Sequence, residues 1–515
     1  MSKVKMADRR TISGSITVFA SLSLLLVASF LLALLECARV KGLEAYSGMQ
    51  RENALECVLS EYDRDLFERY GIFLLDGGYG TGTIQFAQMN GRLLEISQKN
   101  LRPEKVKYLL QGTQNFYQMD VTQAEVEQYL LATDYNGAPF RAMAVQSMKA
   151  RYPIELLQTL SDRLQQSERA IDEARVGQTS MDQAGEQIEH AKRQAAEQAA
   201  ASAANGEAAA PPAQVPENPM DIIKSIKTAD ILTLVVPQGM AISAKQINGD
   251  STLEHRHLVQ GNESWEDTGE WYEAVLYQQF LQTQFGCFTS GCTSGGTLDY
   301  ELEYIQSGKT SDRANLKSVV HALLLLREGA NYLYLQSDQV KQAQAYELAG
   351  LIASALAIAP ATPLLAQGIL AAWAYAESIL DVRTLLSGGC IPWMKTVDSW
   401  SSDLSGIGTL LAGNAQAKST TQGEDYQGYL QKLLYLKTAK VLNYRAMDLM
   451  EWYKAACSDR QIHMDAMLLA VRATFSYEAR PLFSDLVTLQ RLEADRLEFA
   501  ASEADSYLTG DRQRE

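Results

Sequence analysis

ITVFASLSLLLVASFLLALL, residues 16–35, carries no charged side chain along its whole length. At 1.5 Å per residue a helix of this run spans about 30 Å, the thickness of a bilayer's hydrocarbon core. Before it stand Lys3, Lys5, Arg9 and Arg10 against the single Asp8. Behind it Glu36, Arg39, Lys41 and Glu44 cancel. Cationic flanks stay in the cytoplasm, so the pattern predicts residues 1–15 inside, 16–35 as one transmembrane helix, and the bulk of the chain outside. Two alternatives compete. A cleaved secretory signal has a shorter apolar stretch and an A-x-A site, which this one lacks. A lipoprotein signal ending at Cys37 would need a small residue where Glu36 stands.

Helical spacing continues past the membrane. Leu55, Val58, Leu59, Tyr62, Leu66 and Tyr70 recur every three or four residues, which predicts one helix reaching Tyr70, with Gly42 and Gly48 as a hinge. GIFLLD reads as a short strand, residues 117–134 as extended and DYNGAPF as a turn. Together they predict an α+β module over residues 36–152. Leu157, Leu160, Leu164, Ile171 and Ala174 form a weakly coiled-coil-like seam in the helical segment 153–198. Ser180 and Gln183 resemble a capping box that opens a second helix. Residues 199–219, rich in Ala and Pro, read as a linker. Residues 220–515 form a mainly helical module with a few strands: ILTLVVP, MDAMLLAVRATFSYEA, a helix capped by Ser311, and a charged helix from Pro481 to Tyr507. The uncharged run 348–376 is long enough for a second span, but Pro360 and Pro363 divide it, which favours a buried hairpin. The fold class expected is therefore α-rich α+β.

A net charge of −16 and a pI near 5.0 repel phosphate backbones, so nucleic acid is excluded as a partner. The hydrophobic fraction of 46% is enough to build packed cores. Catalytic and cofactor chemistry leave little trace. Gly78-Tyr79-Gly80-Thr81-Gly82 lacks the lysine of a P-loop and the spacing of a dinucleotide fingerprint, so no nucleotide is expected. His255 and His257 flank Arg256 without an assignable third ligand, which argues for loop histidines and no metal site. No G-x-S-x-G or H-E-x-x-H occurs. Neither a catalytic residue nor a cofactor is assigned. Cys287 and Cys292 close the turn CFTSGC and are candidates for a disulfide in an oxidising exterior.

Arg9-Arg10, Gly14-Ser15-Ile16-Thr17-Val18-Phe19, the apolar run and Glu36-Cys37-Ala38-Arg39 resemble the start of TadE/TadG-type minor pseudopilins of tight-adherence pili. ENALECVLSEYDRDLFERYGIFLLDGGYG, NPMDIIKS, LEYIQSGKTSDRANLKSVVHALLLLREGANYLYL and WAYAESILDVRTLLSGG resemble an uncharacterised family of large single-pass bacterial proteins, often encoded beside tight-adherence genes. The resemblance implies a membrane-anchored, envelope-exposed structural component of a pilus or related secretion machine. Its partners would be the membrane and other pilus or envelope proteins. It also implies prepilin-type processing between Gly14 and Ser15. Phe19 stands where filament-forming pilins carry glutamate, which implies a tip, initiator or anchor and not a repeating subunit. The alternatives are a pilus-independent surface or adhesion protein and an enzyme acting on cell-wall material.

Overall fold

Twenty uncharged residues favour a helix wherever the backbone must satisfy its own hydrogen bonds, and nothing behind them breaks it. The computed structural model describes residues 10–101, 117, 119–149, 151–204, 216–266, 269–290, 296–458, 460, 462–480, 482 and 497–507. Its first element is an unbroken helix, α1 (Arg10–Leu59). The expected hinge is absent: α1 continues through Gly42 and Gly48, and at Gly42 the Tyr117 ring packs against the helix where a Cβ would lie 3.1 Å from it. The lower half is exposed all round, with Phe19 and Leu24 among its apolar side chains. Among the described residues α1 is the one helix long and apolar enough to cross a membrane. The helix stops at Leu59, short of the expected Tyr70. Asp63 begins a separate turn, α2 (Arg64–Tyr70), by accepting the Leu66 N–H at 3.0 Å, and Gly71 closes it at φ 70°.

The upper half of α1 buries Leu43, Ala54, Leu55 and Val58 against an antiparallel sheet, together with α3 (Phe86–Leu101). The sheet comprises β1 (Leu75–Asp76), β2 (Met119–Leu131), β3 (Met467–Ala479) and β4 (Leu497–Ser506). β3 is central. β2 runs along one edge, from Leu131↔Leu468 to Met119↔Ala479, while β1 and then β4 occupy the other. Val471, Ala473, Phe475 and Tyr477 alternate along β3 toward α1, the period of two that the sequence shows. The sheet thus joins strands from both sides of the 199–219 segment. The helix expected over 481–507 is corrected where it is described: residues 497–506 form β4. Their Glu and Ala content favours helix, but the open edge of β3 supplies a full ladder of hydrogen bonds and overrides that preference. Residues 481 and 483–496 lie outside the described residues.

Beyond the sheet lies a helical body: α4 (Asp134–Lys149), α5 (Ile154–Ala204), α6 (Pro219–Lys227), α7 (Ile231–Val235), α8 (Trp271–Gln284), α9 (Glu301–Ser307), α10 (Asp312–Ser337), α11 (Gln339–Ala355), α12 (Thr362–Leu386), α13 (Ile407–Ala412), α14 (Tyr426–Tyr435) and α15 (Ala439–Cys457). DYNGAPF is the expected turn, with Tyr135, Asn136 and Gly137 left-handed at the start of α4. ILTLVVP is helical where a strand was expected: Ile231, Leu232 and Val235 bury at helical spacing, and Pro237 follows. Ser180 opens no second helix, because α5 runs through it and its hydroxyl bonds back to the Val176 carbonyl. Of the seam expected on α5, Leu157 and Ala174 are buried and Ile171 is half-buried within the chain, while the side chains of Leu160 and Leu164 lie outside those described. The buried stripe also takes in Ala170, Gly177, Met181, Ala184, Ile188 and Ala191, and α5 packs on α10 and α12. Contact there is so close that a Cβ on Gly329 would meet the Ala170 carbonyl at 1.6 Å. The uncharged run is the expected helical hairpin, with α11 and α12 divided around Pro360 and Pro363, the latter in the first turn of α12, but α11 is buried on one face only and Leu351 is exposed. α12 is buried on every face, as befits an apolar helix at the centre of a bundle.

That centre holds charge. Arg327 of α10, Glu377 and Asp381 of α12, and Lys395 all have fully buried side chains. Arg327 Nε donates to Asp381 at 3.0 Å, and its Nη atoms donate to the Trp393 carbonyl and Asn331. Lys395 Nζ lies 2.7 Å from both Glu377 and Asp381. Glu377 also accepts the N–H groups of Ser401 and Ser402. Burial alone would raise the Asp381 pKa, yet the Arg327 and Lys395 charges hold it below the usual range. Two cations balance two anions, so removing one leaves a net buried charge at a cost of about 3–5 kcal/mol. We expect Lys395→Met to lose stability of that order in thermal denaturation of the full chain. A loss under about 1 kcal/mol would show that the interior tolerates the imbalance.

Candidate functional site

The glycine-rich stretch that resembles a phosphate loop is already filled. Asp76, at the end of β1, accepts the N–H of Gly78 at 2.9 Å and that of Gly80 at 2.6 Å. The amides that would cradle a phosphate thus point at the chain's own carboxylate. Gly80 and Gly82 take φ of 87° and 75°, which favour glycine. A Cβ on Gly82 would strike the His463 ring at 2.4 Å.

His463 belongs to the cluster with the most chemical potential among the described residues. Glu451 from α15, His463 and Asp465, just before β3, bring ligand atoms within 4.8 Å of one another. Arg256 stands among them, bonded to both Glu451 oxygens at 2.6 Å and to Asp465 at 2.9 Å. Glu451 also accepts the Met464 N–H at 2.8 Å. A planar guanidinium that satisfies two carboxylates supplies the positive charge a metal ion would bring. The donor set is therefore that of an ion-pair clamp, which ties the 252–259 loop to α15 and β3. His255 and His257, flagged by their spacing, are exposed. His255 Nδ1 lies 2.7 Å from Thr252 Oγ1. Their neighbour Arg256 is the residue that turns inward.

Three further carboxyl groups are buried. Glu303 accepts from the Phe288 N–H at 2.8 Å and the Tyr426 hydroxyl at 2.7 Å. Asp448 accepts from the Leu253 N–H and the Tyr304 hydroxyl. Glu328 accepts from Gln178 of α5 at 2.8 Å. Burial pushes each up to about 7. Cys287 is buried beside Tyr426, but its candidate disulfide partner Cys292 lies outside the described residues. The backbone of Gly14 and Ser15 is helical within α1.

A family of unknown function, DUF5702, matches residues 211–479, more than half of the chain. The chain belongs to the DUF5702 family. No curated protein and no solved structure matches it. The DUF5702 region begins before α6 and ends with β3, so it contains the buried Arg327–Asp381–Lys395–Glu377 cluster and the Arg256 clamp. The apolar half of α1, the long α5, and β1, β2 and β4 lie outside the DUF5702 match.

The pairing of Arg256 with Glu451 and Asp465, and the partners of the buried carboxyls, are not legible in the sequence because they come together from separate elements. One signal was available inside the DUF5702 region. Arg327 and Glu328 directly follow the apolar LLLL of α10, and Glu377 and Asp381 sit four apart in a mainly apolar helix. Charges so placed must be paired in the interior.

The raised carboxyls make stability depend on pH. Unfolded, Glu328 ionises near its ordinary 4.5; folded, near about 7. Between those values the native state binds the extra proton, so stability falls as pH rises through the window and levels off above it. Glu328→Gln keeps the acceptor for Gln178 and removes the titration. The variant should melt higher than wild type at pH 8 and show a shallower decline from pH 5 to 8. The general repulsion of a −16 chain is common to both proteins; parallel curves would contradict the assignment.

Proposed function

We propose that this DUF5702 protein is a membrane-anchored, envelope-exposed structural component of a tight-adherence-type pilus or related secretion machine, acting through protein–protein contacts. The observation that carries the reading is α1. One uninterrupted helix has an apolar half exposed on all sides and a second half laid along a sheet that is knitted into the body. A helix in water does not expose such a run, whereas lipid accommodates it. The cationic leader favours a cytoplasmic N-terminus and an external body. The clusters of charged side chains are closed by their own counter-charges, which supports a scaffold over an enzyme.

The pilus setting rests on the N-terminal resemblance. Phe19 is 73% exposed on α1 and cannot supply the carboxylate that a filament-forming subunit would offer a neighbour in the bilayer, where charge is costly. The protein would therefore serve as tip, initiator or anchor. In-frame deletion in the native host should abolish surface filaments or adherence, and a protease added to intact cells should remove a C-terminal tag. Unchanged filaments with a protease-sensitive tag would leave a pilus-independent surface protein. A protected tag would overturn the topology. Processing is read separately, by mass spectrometry of the mature N-terminus: cleavage by a prepilin-type peptidase leaves Ser15 first, and an intact leader in a pilus-bearing host would rule that step out.

A further inference from the structure

Along the outer face of α11, Val340, Gln344, Leu348 and Leu351 recur at four, four and three residues. Val340 and Leu351 are 69% and 55% exposed. The inner face of the same helix is spent on α12 through Ala345, Ala349 and Ile352. The outer stripe covers about 16 Å and opens at its C-terminal end into a groove of about 360 Å³, where Ile222 of α6, Leu404 and Ile407 continue the apolar floor.

The rim of this groove has one sign of charge. Glu217, Glu347 and Asp403 line it, all three exposed, and among the described residues no lysine or arginine does. None of the three carboxylates forms an ion pair among the described residues. An apolar strip bordered by unpaired carboxylates selects an occupant with an apolar face and flanking cations, since desolvating apolar surface supplies affinity and charge complementarity supplies register. The chain's own 205–215 stretch carries Glu207 and no cation, and a second copy of a −16 chain brings repulsion.

We propose that the α11 groove receives a basic amphipathic helix of a partner protein, with its apolar stripe laid along Val340, Leu348 and Leu351 and its lysines or arginines facing Glu217, Glu347 and Asp403. This deepens the reading of the chain as a contact-making envelope component and rests on it.

The probe is a fluorescein-labelled helix of about fourteen residues, leucine on one face and lysine elsewhere. It is titrated onto the full-length chain in phosphatidylcholine nanodiscs and followed by anisotropy. Saturable binding that weakens with salt is expected, about ten-fold weaker for the Glu347→Lys/Asp403→Lys double variant, and absent for a leucine/glutamate counterpart of the probe. The substituted positions are exposed, so an unchanged melting temperature verifies that the variant folds. Binding that ignores the substitutions, or equal binding of the acidic probe, overturns the proposal.

A photo-crosslinker at Gln344 names the occupant. An adduct with the lysine probe supports the groove, while an adduct with residues 205–215 or with a second copy refutes it. The double variant placed in the native host separates this proposal from the functional reading. Loss of adherence there, as in the deletion strain, supports both. Normal adherence in the variant with loss in the deletion strain sinks the groove alone. Normal adherence in the deletion strain sinks the scaffold reading.

Discussion

Every strand of the sheet hydrogen-bonds to β3, and β3 comes from residues 467–479. The platform under the upper half of α1 therefore cannot close until nearly the whole chain is available. β2 pairs residue 119 with residue 479, and β4 joins only after β3. Such non-local pairing carries a large loop-closure cost that the intervening helical body offsets by bringing the ends together. The body is thus more than a passenger on the sheet, because its folding positions α15 and the clamp residues immediately before β3. Arg256 bonds to Glu451 on α15 and to Asp465 at the approach to β3, fixing the strand's point of departure.

Inside the body two kinds of contact set the geometry. Small residues let α5, α10 and α12 approach closely, and the buried ion cluster then determines how α10 and α12 are aligned. Apolar packing tolerates many sliding arrangements. Two cations and two anions, paired with one another and tied through Arg327, Lys395 and Glu377 to backbone groups, tolerate few. The cluster reaches the 392–402 segment through the Trp393 carbonyl and the Ser401 and Ser402 amides, so an otherwise irregular stretch is held against the bundle. Tyr429 extends the same network to α14 by accepting from Arg327 at 2.9 Å.

Local signals were legible where they were strong and were misread where tertiary partners decided. The apolar run of α1, the alternation of β3, the Ser311 cap on α10 and the proline division of α11 from α12 follow from periodicity and turn chemistry alone. So does the α-rich α+β class. The segment 497–506 has helix-favouring composition and becomes a strand because an unpaired edge of β3 lies beside it. Ser180 has the spacing of a cap and sits inside a helix, since the seam of α5 gains more by continuing along α10 and α12 than by breaking. The candidate chemistry was less readable still. The histidine pair drew attention to positions 255 and 257, while the group that matters locally is the arginine between them. Its partners lie about two hundred residues away, beyond the reach of any local pattern.

Consider α1 as a mechanical part. Its backbone is the covalent line between the apolar anchor and the body, for it ends at Leu59 beside α2, where Asp63 and Asp65 pair with Lys454 of α15. A pull on the body runs down this one helix, while the sheet braces it laterally through Leu43, Ala54, Leu55 and Val58. Arg51 pairs with Glu503 on β4, and the Tyr507 hydroxyl donates to the Leu59 carbonyl at the top. Stretching the upper half would require stripping it from the sheet along its length. Because α1 is continuous from its apolar half to the body, tension on the body would reach that half as torque and tilt of a stiff rod.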